Sequence, residues 1–189
     1  MIEVELKIKI DKNKIDEFRS KIEKLGFKKQ SLKKEIDIYF NGIDRDFRKT
    51  DEALRIRKSI NLEKSNEAPK NIITYKGKKL DGISKTREEI EITVDNGENA
   101  QKIFEKLGFK PVNPIVKIRE TYKNEKDNIV ITIDNVEKVG TFAEFEIVVP
   151  NISEKEYATN KLLLLLDKLS ISRDNLLTKS YLSMRDNNG

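Results

Sequence analysis

The sequence predicts an α+β fold in which eight antiparallel strands close into a barrel and helices pack against its outside. Eight segments alternate apolar and polar residues with a period of two, as expected for strands that bury one face. Only a few segments show helical spacing. Antiparallel strands in this number can close into a barrel, which removes the exposed edges of an open sheet.

The predicted strands and helices follow one another with polar loops between them. Asp11 is a suitable N-cap for a first helix, which ends near Gly26, a residue typical of helix C-termini. A second helix, over about 98–107, ends in the same Lys-Leu-Gly-Phe sequence, which indicates either a repeated strand–helix–strand unit or a chance match. The tail is predicted to be helical from Ser153. The eight predicted strands cover residues 2–10, 35–40, 53–60, 71–77, 84–94, 113–124, 128–136 and 141–149.

Composition indicates one charge-rich domain. No change in composition marks a boundary, so residues 1–189 are interpreted as one domain, with a barrel core over 1–150 that includes two helical insertions and C-terminal helices over 151–185. The chain starts with a strand rather than a signal peptide, and its longest purely apolar run, Leu162–Leu166, is too short to span a bilayer. We therefore expect a cytoplasmic protein with no membrane partner.

Several classes of site are excluded by the residue types present. The chain has no Cys and no His, which excludes disulfides, thiol or imidazole catalysis and Cys/His zinc sites. Its 38 basic and 33 acidic residues give a net charge of +5, which suits an anionic partner. A nucleic acid is not expected to be that partner, because aromatic residues are only 7% of the chain and do not alternate with the basic ones.

One face of nearly every predicted strand carries charged residues. Each strand alone also fits the solvated face of an ordinary half-exposed sheet. Three features favour a charged lumen instead: the runs are almost purely charged, the helices need the apolar face to cover, and the two signs are sorted into groups. The charged faces carry Glu3, Glu5 and Lys7; Arg55 and Arg57; Lys76; Lys85, Arg87, Glu89 and Glu91; Lys117 and Arg119; Asp134; and Glu144 and Glu146.

A lumen of this kind predicts a site for a metal and a polyphosphate. Burying so many unpaired charges would be prohibitive, whereas a bound polyanion and a cation would offset the cost. Arg and Lys together suit a chain of phosphates, and the neighbouring carboxylates would repel it unless a divalent cation lay between them. Ligation by oxygen alone favours Mg²⁺, Mn²⁺ or Ca²⁺.

These residues resemble the CYTH superfamily, the triphosphate tunnel metalloenzymes. Glu3-x-Glu5-x-Lys7 is similar to the family's ExExK signature, and further motifs follow in the family's order over nearly the whole chain. These are LRIR (54–57), TYKG (74–77), TREEIEI (86–92), KIRETY (117–122), ITID (131–134) and AEFEI (143–147). The resemblance implies an eight-stranded tunnel that binds a triphosphate together with Mg²⁺ or Mn²⁺.

The resemblance also implies roles for individual residues. Glu89 and Glu91 are candidates for orienting the cations, and Lys179, predicted in the C-terminal helical segment, either closes one tunnel mouth or is simply solvated. The implied metal ligands are Glu3, Glu5, Asp134, Glu144 and Glu146. The implied triphosphate-binding residues are Lys7, Arg55, Arg57, Lys76, Arg87, Lys117, Arg119 and Lys179. The implied catalytic group is Glu3, Glu5, Lys7, Glu144 and Glu146.

Within the superfamily, DIYF (37–40) and VGTFAEFEI (139–147) are most similar to the class IV, CyaB-like adenylyl cyclases. This similarity implies conversion of ATP to cyclic AMP and pyrophosphate, in a protein that is expected to form homodimers. A triphosphatase acting on inorganic triphosphate, thiamine triphosphate or a nucleoside triphosphate is an alternative. A non-catalytic binder of polyphosphate or nucleotide is another. No set of residues that reads adenine is recognisable in the sequence.

Overall fold

The structure is a computed structural model that describes residues 2–64, 66–78, 86–124 and 126–186. Nine strands lie within these residues: β1 (Ile2–Ile10), β2 (Lys28–Asn41), β3 (Ala53–Asn61), β4 (Lys70–Lys76), β5 (Arg87–Val94), β6 (Lys110–Pro111), β7 (Ile115–Lys123), β8 (Val130–Val136) and β9 (Gly140–Val149). The α-helices are α1 (Ile15–Lys24), α2 (Phe47–Thr50), α3 (Gly97–Lys106), α4 (Lys155–Lys168) and α5 (Tyr181–Asp186).

Eight of the strands form a closed antiparallel barrel, as the sequence predicts. Their order is β3-β4-β5-β1-β9-β8-β7-β2, and β2 pairs again with β3 to close the sheet. β6 lies outside this ring and pairs only with the end of β2. β2 is longer than predicted and starts at Lys28, because its polar first half pairs with β7, and β3 pairs with β2 from Lys33 onward.

The apolar strand faces point outward and form the main core beneath two helices. Val4 and Leu6 of β1 are buried under α4, which contributes Leu162 and Leu166. Phe18 of α1 meets Phe145 of β9 edge to face, with ring centroids 6.2 Å apart. Burying a side chain of this size contributes about 1.5–3 kcal/mol, so the helices fix which face of the sheet turns inward.

The two Lys-Leu-Gly-Phe sequences form the same helix ending. Gly26 and Gly108 have φ of 87° and 98°, a left-handed conformation that glycine adopts without a Cβ clash. The NH of Phe27 then bonds to the carbonyl of Ile22, five residues back, and Phe109 repeats this bond to Phe104. The likeness ends there, since β2 follows the first helix with 14 residues and β6 follows the second with two.

The C-terminal segment, residues 176–186, lies across one end of the barrel. The NH of Leu177 donates to the carbonyl of Lys7 at 2.8 Å, and Arg185 Nη1 donates to the carbonyl of Asn113 at 2.7 Å. This segment was predicted to be helical, but residues 177–180 are irregular, and α5 begins only at Tyr181. Within the described part of the chain, none of the helices is both long enough and apolar enough to cross a membrane.

Candidate functional site

The lumen of the barrel contains a cavity of about 870 Å³, the size of typical small-molecule sites. Thirteen of the residues expected on the charged faces line it, and so does Lys179, which lies in the irregular stretch before α5. Asp134 does not line the cavity, and Lys85 lies outside the described residues. The expected residues that line it are Glu3, Glu5, Lys7, Arg55, Arg57, Lys76, Arg87, Glu89, Glu91, Lys117, Arg119, Glu144 and Glu146.

Three carboxylates on one side of the lumen, Glu3, Glu5 and Glu146, form what we term the acidic group. Glu5 lies directly opposite Glu146 in the register of β1 and β9. Glu3 is 3.1 Å from Lys76 Nζ, and Glu5 is 3.6 Å from Lys7 Nζ. Glu146 forms no ion pair with any described residue. Burial and the charges of Glu3 and Glu5 raise the pKa of Glu146 to about 8.

Burial also raises the pKa of Glu3, although Lys76 acts against it. The cations on this side of the lumen therefore do not offset the cost of keeping three buried carboxylates ionised together.

The cations Arg57, Lys117 and Arg119, with the carboxylates Glu35 and Asp37, form a buried network that we term the basic cluster. Arg57 donates to both oxygens of Asp37, from Nε at 2.7 Å and from Nη2 at 2.8 Å. Lys117 Nζ lies 3.3 Å from Glu35 and 3.6 Å from Asp37. Burial alone would raise the pKa of Glu35, but the three cations outweigh it and lower this pKa to about 2. Burial is likewise outweighed at Asp37, where Arg57, Lys117 and Arg55 hold the pKa well below its usual range.

Asp134 lies behind this cluster rather than beside the acidic group. It is fully buried and accepts hydrogen bonds from Arg119 Nε at 2.6 Å and from the Tyr181 hydroxyl at 2.9 Å. Lys117 Nζ is a further 3.8 Å away. As the side chains stand, the carboxylate of Asp134 holds Arg119 in place.

Comparison with known proteins decides the family. The profile of the CYTH domain family matches residues 1–181. The chain belongs to the CYTH domain family. A Methanocaldococcus jannaschii protein named "Putative adenylate cyclase MJ0240" is 52% identical over 186 residues, which cover 98% of this chain and 99% of that one.

Two solved structures extend the comparison. The PH1819 protein of Pyrococcus horikoshii is 37% identical, with a TM-score of 0.87 and 99% of each chain covered. The "Putative adenylyl cyclase HpAC1" of Hippeastrum, described as having a dominant triphosphatase activity, has a TM-score of 0.64 at 15% identity. That alignment covers 98% of this chain and 95% of the other, and it shows a shared fold.

Three residues that contact the lumen cations of the CYTH barrel were missed from the sequence: Glu35, Asp37 and Tyr181. Glu35 and Asp37 alternate with apolar residues in β2, so the period-two signal that identified the other faces was also present there. Tyr181 follows an irregular segment and gives no periodic signal. Its ring centre lies 3.6 Å from Lys7 Nζ, a cation–π contact, while its hydroxyl bonds to Asp134.

The acidic group is the part of this CYTH lumen whose chemistry fits a divalent cation. Its donors are all carboxylate oxygens, which suit Mg²⁺ or Mn²⁺, and Glu146 lacks a cationic partner among the described residues. No three carboxylates in the described part of the chain already converge in a metal-binding arrangement. Glu3 and Glu5 instead lie beside Lys76 and Lys7, so metal binding would require these ion pairs to rearrange.

Proposed function

We propose that this CYTH protein is a divalent-metal-dependent enzyme acting on a triphosphate, with the conversion of ATP to cyclic AMP and pyrophosphate as its principal reaction. The observation that carries the proposal is one closed lumen with three grouped carboxylates on one side and the basic cluster on the other. A polyanion and a cation bound together would satisfy both. The name of the Methanocaldococcus jannaschii relative supports the cyclase reaction.

The basic side of the lumen is proposed to bind the phosphates. Arg guanidinium groups make forked contacts with phosphate oxygens, and Lys supplies a point charge. Arg55, Arg57, Lys117 and Arg119 line the cavity, and internal carboxylates hold them in place. Phosphoryl and nucleotidyl transfer depend mainly on alignment and charge stabilisation, which cations fixed in a barrel wall can provide.

The acidic side is proposed to hold Mg²⁺ or Mn²⁺ through Glu3, Glu5 and Glu146, with Glu144 nearby. When bound, such an ion would neutralise phosphate charge and lower the pKa of the attacking hydroxyl or water. Lys7 lies between the two sides, 2.7 Å from Glu144 and stacked on Tyr181, where it can reach a phosphate oxygen. We propose Lys76 and Arg87 as further phosphate contacts from β4 and β5.

A triphosphatase is the second candidate. The same lumen could cleave the terminal phosphate if water, rather than the ribose 3′-hydroxyl, attacked. The Hippeastrum protein, which shares this fold, is described as having a dominant triphosphatase activity, and this supports triphosphate hydrolysis as the alternative reaction. A non-catalytic binder would keep the affinity for triphosphate and lack turnover with every metal.

Incubation of the protein with ATP, tripolyphosphate or thiamine triphosphate, each with Mg²⁺ or Mn²⁺, tests the proposal by phosphorus NMR. Cyclic AMP and pyrophosphate are the expected products from ATP, and orthophosphate would identify a triphosphatase. Glu146→Gln should abolish turnover, whereas Glu156→Gln, an exposed residue on α4, should leave it unchanged. Absence of turnover of all three compounds with either metal would overturn the proposal, and binding without turnover would identify a non-catalytic binder.

A further inference from the structure

Tyr181, the first residue of α5, connects the C-terminal segment with two charged groups inside the barrel. Its hydroxyl donates to Asp134 at 2.9 Å, and its ring centre lies 3.6 Å from Lys7 Nζ. The side chain is 6% exposed, and the residue lines the cavity. Binding of phosphates and a metal ion does not by itself require a buried tyrosine here, so the two contacts need a separate explanation.

The hydroxyl of Tyr181 acts on a carboxylate that holds Arg119. One oxygen of Asp134 accepts from Arg119 Nε at 2.6 Å, and the other accepts from Arg119 Nη2 and from the hydroxyl. Arg119 lines the cavity, whereas Asp134 is fully buried behind it. A buried carboxylate whose hydrogen bonds are all fixed keeps its orientation toward the arginine. Tyr181 therefore helps to fix the direction in which Arg119 points.

The ring of Tyr181 acts on Lys7. The ammonium group of Lys7 is attracted by two carboxylates, Glu144 at 2.7 Å and Glu5 at 3.6 Å. The negative face of an aromatic ring also attracts a cation, and more strongly where water is excluded, as at Lys7, which is 3% exposed. Phe142 packs against the ring, with the two centroids 5.1 Å apart, and fixes its orientation. The ring therefore limits the positions that the ammonium group can take.

Backbone contacts attach the C-terminal segment to the barrel independently of the Tyr181 side chain. The NH of Leu177 donates to the carbonyl of Lys7, and Arg185 Nη1 donates to the carbonyl of Asn113. These bonds lie on either side of Tyr181 in the sequence. A substitution of Tyr181 should therefore leave the segment in place and change only what the side chain contacts.

We propose that Tyr181 is a positioning residue of the triphosphate site, whose ring holds Lys7 and whose hydroxyl holds Arg119 through Asp134. The inference rests on the proposed function, in which Lys7 and Arg119 contact phosphate oxygens. It goes further, because it makes the C-terminal segment a working part of the site rather than a closure of one end of the barrel. Tyr181 acts through these two cations and not on the reacting atoms.

Two substitutions separate the hydroxyl from the ring. Tyr181→Phe removes only the hydroxyl, so the less well fixed Arg119 should raise the KM about tenfold and leave kcat nearly unchanged. Tyr181→Leu also removes the ring beside Lys7 and should in addition lower kcat about tenfold. Both constants are measured with Mg²⁺ or Mn²⁺ on whichever of ATP, tripolyphosphate and thiamine triphosphate the wild-type protein turns over fastest.

A double-mutant cycle tests whether the hydroxyl acts through Asp134. In the Asp134→Asn background, Tyr181→Phe should change the KM less than about twofold, because the carboxylate through which the hydroxyl acts is already gone. A purely structural role of the tyrosine would instead give the same factor in both backgrounds.

Matched controls keep the outcomes distinct. Tyr157→Phe and Tyr157→Leu, at a 70% exposed tyrosine on α4, should leave both constants unchanged, and melting temperatures report whether each variant folds. Tyr181→Phe keeps the ring packing, so the test stands even if Tyr181→Leu does not fold. Wild-type constants in the folded Tyr181 variants, or an equal change in KM in both backgrounds, would overturn the positioning role. Absence of wild-type turnover of all three compounds would instead overturn the proposed function.

Discussion

Glu5 and Glu146 lie directly opposite each other on β1 and β9, on the face that lines the lumen. Like charges opposed on neighbouring strands are destabilising, and here burial adds to the repulsion. The fold therefore keeps an unfavourable pair of acidic residues in the wall of the cavity. A divalent cation bound between these carboxylates would turn the repulsion into attraction.

Glu146→Gln should have different effects on the stability of the metal-free protein and on its stabilisation by bound metal. The substitution removes the repulsion, so the metal-free variant should be as stable as the wild type or more stable by up to about 1 kcal/mol. Mg²⁺ or Mn²⁺ should raise the melting temperature of the wild type and have much less effect on the variant. Thermal unfolding with and without metal makes the comparison, and an undiminished metal effect in Glu146→Gln would contradict the assignment.

Arg57→Gln should weaken triphosphate binding and also destabilise the fold. It leaves Asp37 buried without its forked partner, and breaking such a pair costs about 3–5 kcal/mol. The double variant Arg57→Gln with Asp37→Asn should recover much of this stability without recovering affinity. Urea unfolding measures the first effect, and the KM for triphosphate measures the second. Recovery of both together would show that Arg57 serves the fold alone.

Asp134→Asn distinguishes a metal ligand from a residue that positions Arg119. The structure supports the positioning role, because both oxygens of Asp134 accept from Arg119. We therefore expect a higher KM for triphosphate with an unchanged affinity for Mn²⁺. Electron paramagnetic resonance of free Mn²⁺ gives the metal affinity directly. A tenfold weaker Mn²⁺ affinity in Asp134→Asn would assign it to the metal site, as the family resemblance implies.

Acid should destabilise the protein partly through Glu35. Its pKa is about 2 in the folded protein against an ordinary value of 4.5, so its contribution to stability is complete above pH 4.5 and is lost as the pH falls toward 2. The difference in unfolding free energy between wild type and Glu35→Gln should shrink by at most about 3 kcal/mol over this range. Urea unfolding between pH 2 and pH 6 measures it, and a constant difference would contradict the ion-pair network.

The sequence predicted the barrel and most of the side chains that line its lumen, because the alternation of residues along a strand is a local property. Lys7, Arg57 and Glu146 each face the cavity, as the period of two requires. Which acidic residue pairs with which basic residue depends on the register between distant strands, so the ion pair between Asp134 and Arg119 could not be predicted. Tyr181 was not predicted because it follows an irregular segment, and its position depends on contacts of Leu177 and Arg185 with distant backbone.

A crystal structure with Mn²⁺ and a non-cleavable ATP analogue tests the central claim most directly. The account predicts an anomalous Mn²⁺ signal among Glu3, Glu5 and Glu146, with the phosphates on Arg55, Arg57, Lys117 and Arg119 inside the barrel. Mn²⁺ or the phosphates bound on the outer surface, with the lumen ion pairs unchanged, would contradict it.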